Sequence, residues 1–286
     1  MKTYSDIASM RGHVRGLKAQ GKTVGCVLTM GFLHDGHIGL VKECARHADE
    51  VVASIFVNPT QFGEKEDLDN YPSDIEGDLA KFKAAGVSAV FMPTPDIMYP
   101  DGADTVVTVP SLSNILQGKV RPGHFQGVTT VVSKLFNILE PDVTVFGEKD
   151  FQQLAIIRQM VRDLGKAVDV RGLPIVREAD GLAMSSRNAR LTPEDRAAAV
   201  VLSQALDAAE AHENDPLTVE EFRALVREHI AREPRADIRA IDIRDARDLS
   251  AYYGRLDRPA VILLSVRFGA ILLIDNRVIG PGKDEL

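Results

Sequence analysis

The chain has 286 residues, long enough for a substantial core and for two domains. Apolar residues make up 45% and charged residues 26%, the make-up of an ordinary globular protein and not of a disordered or fibrous one. A net charge of −7 argues against a general nucleic-acid binder, while local Lys and Arg remain available for small anions.

Cys26 and Cys44 are the only cysteines, and both fall at apolar positions. They read as buried thiols of a reducing compartment, not as a disulfide frame or a metal site. Residues 1–21 are polar and broken by glycines, without the apolar stretch of a secretory signal. No apolar run reaches the length of a membrane span. The closing Lys283-Asp284-Glu285-Leu286 matches an ER-retention tail, but without a signal to reach that compartment the match reads as chance. The expectation is a cytoplasmic protein that does not engage membrane.

In chain order, Tyr4–Gln20 can form a helix ending at Gly21. Val24–Leu28 is a short apolar run, the mark of a buried strand. Gly31 and Gly36 bracket a tight turn, and Ile38–Ala48 carries Ile38, Val41, Ala45 and Ala48 near one helical face. A strand that turns on glycines into a helix presents unpaired N–H groups and the helix dipole to an anion. Into that turn the sequence sets His34-x-Gly36-His37, whose rings can donate to phosphate oxygens. A satisfied surface turn is the plainer alternative; the flanking strand and helix favour the functional one.

Glu50–Val57 reads as a second buried strand, ended by Pro59 in a loop that carries Gln61. Glu64–Asp69 reads as an acidic loop, Asp74–Ala85 as a helix closed by Gly86, and Val87–Met92 as a third strand. Tyr99–Gly102 is a turn and Thr105–Val109 a short strand. Gln117–Gly127, with three glycines, Lys119, Arg121 and His124, reads as a basic loop, either an active-site lid or a plain exposed segment. Val128–Leu139 is a mostly apolar helix.

Asp142–Phe146 is a further strand, and it feeds Gly147-Glu148-Lys149-Asp150 before the helix Phe151–Leu164. This repeats the strand–turn–helix plan of the first unit. Lys149 is placed to reach a phosphate, Asp150 is either an N-cap or part of the same site, and Gln153 lies near the same helix edge. Val168–Val176 reads as a strand interrupted by Gly172 and Pro174. Arg177–Arg190 is polar and turn-rich, with Ser185-Ser186-Arg187 suited to phosphate contacts. From Pro193 the texture changes: helices Pro193–Glu213 and Thr218–Arg232, then strands Ile238–Ile243, Ala260–Arg267 and Ala270–Asp275, with a hairpin turn at Phe268-Gly269. Alternating βα units followed by an α+β arrangement suggest domains 1–176 and 177–286.

Six stretches together are specific. TMGFLHDGH at 29–37, SIFVNPTQF at 54–62, NYPSDIEGDL at 70–79, RPGHFQGVTTVV at 121–132, FGEKDFQQL at 146–154 and READGLAMSSRN at 177–188 resemble, in order and spacing, the pantothenate synthetase (pantoate–β-alanine ligase) family. The resemblance implies a Rossmann-like parallel-sheet domain of the H-x-G-H adenylyl-transfer type and a smaller α+β C-terminal domain. It also implies a homodimer. The implied reaction joins pantoate to β-alanine with ATP, through an acyl adenylate, giving AMP and pyrophosphate, with Mg²⁺ accompanying the phosphates.

Carried over by motif, Met30, Gly31, Phe32, Leu33, His34, Asp35, Gly36 and His37 bind ATP. Gly147, Glu148, Lys149 and Asp150 join them, as do Val176, Met184, Ser185, Ser186 and Arg187. His34, His37 and Lys149 are the implied catalytic groups, with His37 the proton donor. Gln61 holds both acids, Gln153 holds pantoate, and Asp78 is a candidate carboxylate helper; protein ligands for the metal are not assigned. The sequence departs from the family pattern at Leu28, where Pro is usual, and at Phe32, where a small or polar residue is usual. Two alternatives compete: a nucleotidyltransferase of the same fold, which needs a basic pocket for an acceptor phosphate where Gln61 and Gln153 offer neutral amides, and a non-catalytic nucleotide-binding regulator, which has no need of His37 or Lys149.

Overall fold

The computed structural model describes residues 1–63, 68–69 and 71–285. Most of the expected acidic loop, residues 64–67, lies outside these. The chain divides into two units, Met1–Glu148 with Gln152–Pro174, and Lys149–Phe151 with Ile175–Leu286.

The first unit is built on a six-stranded, wholly parallel sheet. In chain order its elements are β1 (Lys2–Tyr4), α1 (Ile7–Ala19), β2 (Val24–Thr29), α2 (Asp35–Cys44), β3 (Glu50–Ile55), α3 (Ile75–Ala84), β4 (Ala89–Phe91), α4 (His124–Leu139), β5 (Val143–Gly147), α5 (Phe151–Asp163) and β6 (Asp169–Leu173). The strand order is β1-β4-β3-β2-β5-β6. Successive strands step outward from β2 on one side and from β5 on the other, so the topological switch point lies between β2 and β5. In open parallel sheets the crevice beyond the strand ends at such a point is where ligands bind.

The sheet is covered on both faces, which is why its inner strands are near-continuous apolar runs. Val24, Cys26 and Val52 belong to the layer shared with α1, α4 and α5, whereas Val27, Val51, Ala53 and Ile55 belong to that shared with α2 and α3. The period-two alternation thus sends Cys26 into one layer, and Cys44 lies in the other; both are free and buried. Burial pushes the Cys44 thiol up to about 12 and the Cys26 thiol higher still, as expected of inert core groups.

The second unit carries a three-stranded antiparallel sheet, β7 (Asp237–Asp245), β8 (Ala260–Phe268) and β9 (Ile271–Ile279), in that order. Its helices α6 (Pro193–Ala198), α7 (Val201–Ala211) and α8 (Val219–Ile230) contribute Ala205, Leu206, Phe222 and Val226 to a core with Ile262, Leu264 and Phe268. The fold class is therefore the one expected: a parallel α/β sheet and a smaller α+β part.

Several elements differ from the sequence reading. Edge strand β1 is too short to register as a pattern. The expected strand Thr105–Val109 has no ladder; hydroxyls of α4 serve its backbone instead, Thr130 Oγ1 accepting from Val107 N at 3.0 Å and Thr129 Oγ1 donating to Val107 O. The expected single loop Gln117–Gly127 contains a helical turn, Gln117–Val120, and the first turn of α4. Buried Gln152 organises it, accepting from Gln117 N at 3.1 Å and donating to the carbonyls of Leu112 and Ile115 at 2.8 Å each. The expected helix Pro193–Glu213 is two helices, with Leu202 N bonding Ala199 O three residues back at the junction.

Candidate active site

The segment after β2 reaches α2 through two consecutive left-handed residues, Gly31 at φ +86° and Phe32 at φ +53°. Glycine takes that conformation freely, but for Phe32 it costs about 1 kcal/mol or more. The strain is held by Asp78, a fully buried carboxylate in the first turn of α3. Its Oδ2 accepts from Phe32 N and its Oδ1 from Leu33 N, both at 2.7 Å. Lys81, one turn further along α3, donates to Leu33 O at 2.6 Å. Asp78 thus spends both oxygens on the backbone of the loop. The Leu28 departure sits inside β2, in register with Ser54, and the strand runs on to Thr29, whose Oγ1 donates to Ser54 O at 2.8 Å.

Helix α2 begins at Asp35, three residues earlier than the sequence suggests. The reason is an unusual cap. His34, not Ser, Thr, Asp or Asn, is the N-cap, and its Nδ1 accepts from Gly36 N at 3.1 Å. His37 Nδ1 returns the contact by accepting from His34 N at 3.2 Å, a capping box made of two imidazoles with ring centroids 4.1 Å apart. A ring that accepts at Nδ1 carries its hydrogen on Nε2. The two histidines therefore each hold an Nε2–H donor at the N-terminus of a helix, beside the end of β2.

Gln61 closes a 3₁₀ turn, Pro59–Gln61, and its Nε2 donates to Met30 Sδ at 3.1 Å. The structure so brings Gln61 to the start of the histidine loop. The turn is gripped by α4: His124 Nδ1 donates to Gln61 O at 2.8 Å, and Asn58 Nδ2 donates to Gly127 O at 3.2 Å. Gly127 is required there, since a Cβ would lie 2.5 Å from Thr60 O.

On the other side of the switch point, β5 ends at Gly147 and the chain turns through Glu148–Asp150 directly into α5, so Asp150 lies in a 3₁₀ turn and not at an N-cap. Glu148 is half-buried, and loss of solvent raises its pKa against the pull of Arg158. Gly172 of β6 lies against it, and a Cβ there would come within 2.5 Å of Glu148 Oε1. Gln153 is half-buried on α5.

In the second unit, loss of solvent lowers the pKa of Lys149, Asp150 and Asp275 oppose this, and Arg187 adds to it. Asn276 Nδ2 donates to Lys149 O at 3.0 Å. Asp275, buried, takes a two-pronged pair from Arg177 at 2.7 and 2.9 Å. Val176 and Met184 face one another across a short hairpin, Met184 N donating to Val176 O at 2.9 Å. Ser185 then caps the 3₁₀ turn Ser186–Arg190 by accepting from Arg187 N at 3.2 Å. Each unit therefore gathers its share of the expected nucleotide residues on one or two turns.

A family model for pantoate–β-alanine ligase matches residues 2–278. The chain belongs to the pantoate–β-alanine ligase family. Pantothenate synthetase of Bartonella tribocorum is 50% identical over 281 residues, 98% of each chain. Among solved structures, the pantoate–β-alanine ligase of Thermus thermophilus superimposes with a TM-score of 0.92 at 42% identity, over 98% of this chain and 100% of that one. The pantoate–β-alanine ligase of Francisella tularensis, complexed with β-γ ATP and β-alanine, does so with a TM-score of 0.80 at 33% identity, over 97% of each. A pantoate–β-alanine ligase joins a carboxylate to an amine, and that bond formation is the chemistry the site must serve.

Proposed function

We propose that this ligase condenses pantoate with β-alanine at the expense of ATP through a pantoyl adenylate. A carboxylate is a poor electrophile. Its oxygen attacks the α-phosphorus of ATP, the bond to the bridging oxygen breaks, and pyrophosphate leaves. The β-alanine amine then attacks the acyl carbon, AMP departs with the carbon–oxygen bond's electrons, and the amine proton passes to solvent. Both steps gather negative charge on oxygens, so preorganised donors supply the catalysis.

The observation that carries this reading is the pair of imidazole Nε2–H donors held by the His34–His37 capping box, at a helix N-terminus next to the switch point. In the proposal His34 and His37 bond phosphate oxygens, with His37 the proton donor, and Lys149 neutralises phosphate charge. Met30–Asp35, Gly36, Gly147, Glu148, Asp150, Val176 and Met184–Arg187 complete the nucleotide contacts. Gln61 holds both acids and Gln153 holds pantoate.

Among the described residues no group of three His, Cys, Asp or Glu gathers to hold a metal. Mg²⁺ is taken to arrive on the ATP phosphates with its waters, no step being assigned to it. Among the described residues no helix is long and apolar enough to cross a membrane; the reading keeps the enzyme as a cytoplasmic homodimer. The test is exchange of labelled pyrophosphate into ATP. Pantoate alone is expected to support it, and His37→Ala to slow it on the order of 10²-fold. Exchange that requires β-alanine would rule out a free adenylate stage, and an unslowed His37→Ala would remove His37 from it.

A further inference from the structure

The turn that carries Gln61 contains a directed chain of hydrogen bonds. Tyr99 Oη donates to Asn58 Oδ1 at 2.7 Å, and Thr60 Oγ1 donates to the same oxygen at 3.0 Å. Asn58 Nδ2 donates to Gln61 Oε1 at 3.1 Å and to Gly127 O at 3.2 Å. Gln61 Nε2 donates to Met30 Sδ at 3.1 Å. An amide can be turned end for end at little steric cost, so its direction must be set by partners that cannot switch roles. Two such partners exist here. Gly127 O is a main-chain carbonyl and only accepts, which forces the nitrogen end of Asn58 towards it. Met30 Sδ likewise only accepts.

With Asn58 so fixed, its oxygen faces the two hydroxyls, and Tyr99 is the shorter contact. Asn58 is buried and can leave no end unsatisfied without cost. Its second N–H then occupies Gln61 Oε1. The consequence falls on Gln61: its oxygen already accepts from Asn58 inside the protein, and of its two N–H groups one goes to Met30 Sδ and the other is what it offers a ligand. An amide held this way suits a substrate oxygen.

We infer that Tyr99 is a positioning residue of the ligase, which through Asn58 holds the Gln61 amide with its nitrogen towards the bound acid. Tyr99 is well suited to the part. Its ring packs against Phe56, with a centroid distance of 6.4 Å, and carries the Lys134 ammonium at 5.3 Å, so the hydroxyl is aimed by a fixed ring. Its partial burial raises the phenol pKa, so the hydroxyl keeps its hydrogen through the neutral range.

Tyr99→Phe removes one hydroxyl and keeps the ring. In steady-state assays the pantoate KM is expected to rise about fivefold, with the ATP KM changed less than about twofold. An unchanged pantoate KM, or an equal rise for ATP, overturns the inference, the second because it would mark a general loosening. The kinetic arm rests on the reading of Gln61 as an acid-holding residue. A second arm does not: the Asn58 side-chain amide resonances, assigned by their disappearance in Asn58→Ser, are recorded in the ¹⁵N-labelled full chain. They are expected to shift in Tyr99→Phe while amides far from the turn stay in place. A stationary Asn58 pair overturns the chain of hydrogen bonds itself. If that pair moves and the enzyme proves inactive with pantoate, it is the functional reading that has failed.

Discussion

Asp78→Asn is expected to destabilise the protein by about 3 kcal/mol, because one buried N–H loses its acceptor and a new amide N–H₂ is pressed against it. The carboxylate accepts from Phe32 N and Leu33 N with different oxygens, and asparagine can replace only one of them. The loss falls on a loop already strained by the left-handed Phe32. Without the second anchor the cheapest relaxation is for Phe32 to leave that region. Met30 to His34 would then shift, and the His34 cap with them. The ATP KM is therefore expected to rise at least about tenfold in the variant, beyond what lost stability explains. Urea unfolding and ATP kinetics on the same preparation check both halves. A variant as stable as the wild type would mean that Asp78 does not hold the loop.

Lys149→Met should separate function from stability. Methionine keeps most of the apolar stem and removes the charge. Turnover is expected to fall by about 10²–10³-fold, the size seen when one charge-stabilising donor is lost. Stability is expected to hold or rise. The ammonium's pKa is lowered chiefly by loss of solvent, so the folded state disfavours its charged form. The stabilising contribution of the uncharged form is present above the ordinary lysine range and is lost as pH falls through the lowered folded value. The variant's advantage should accordingly be full below the lowered folded value and shrink as the pH rises towards the ordinary lysine range. Activity of the wild type should fall on the alkaline side at a lower pH than an ordinary lysine allows, since the phosphate partner must stay charged. That limb should be displaced upward in Lys149→Arg. A Lys149→Met enzyme that is both unstable and active would reverse each expectation.

The fold class was legible in the sequence for physical reasons, and the family through the resemblance of six ordered stretches. Parallel strands buried on both faces read as unbroken apolar runs, and the glycine-flanked turns that follow β2 and β5 are short and local. What escaped was of two kinds. Contacts between distant segments leave no local pattern: Asp78 lies 46 residues from Phe32, and Tyr99 lies 41 from Asn58. Their residue types, one acid in a helix with as many lysines as acids and one tyrosine before a proline, are ordinary. The other kind was conformational. A histidine N-cap is outside the usual capping set, so the sequence pattern starts α2 late, and nothing in Phe32 announces a positive φ. Thr105–Val109 has strand propensity, and it was the position of Thr129 and Thr130 on α4 that decided otherwise. One signal was available in retrospect: Asp74-x-Glu76-Gly77-Asp78 places a third acid just inside a helix start, where a backbone N–H cluster is a natural partner.

The most direct measurement is nucleotide product analysis with ATP and Mg²⁺, with pantoate and β-alanine supplied separately and together. AMP and pyrophosphate are expected to accumulate in equal amounts and over many turnovers only when both acids are present. Sustained ADP formation, or sustained AMP release without β-alanine, would contradict the account.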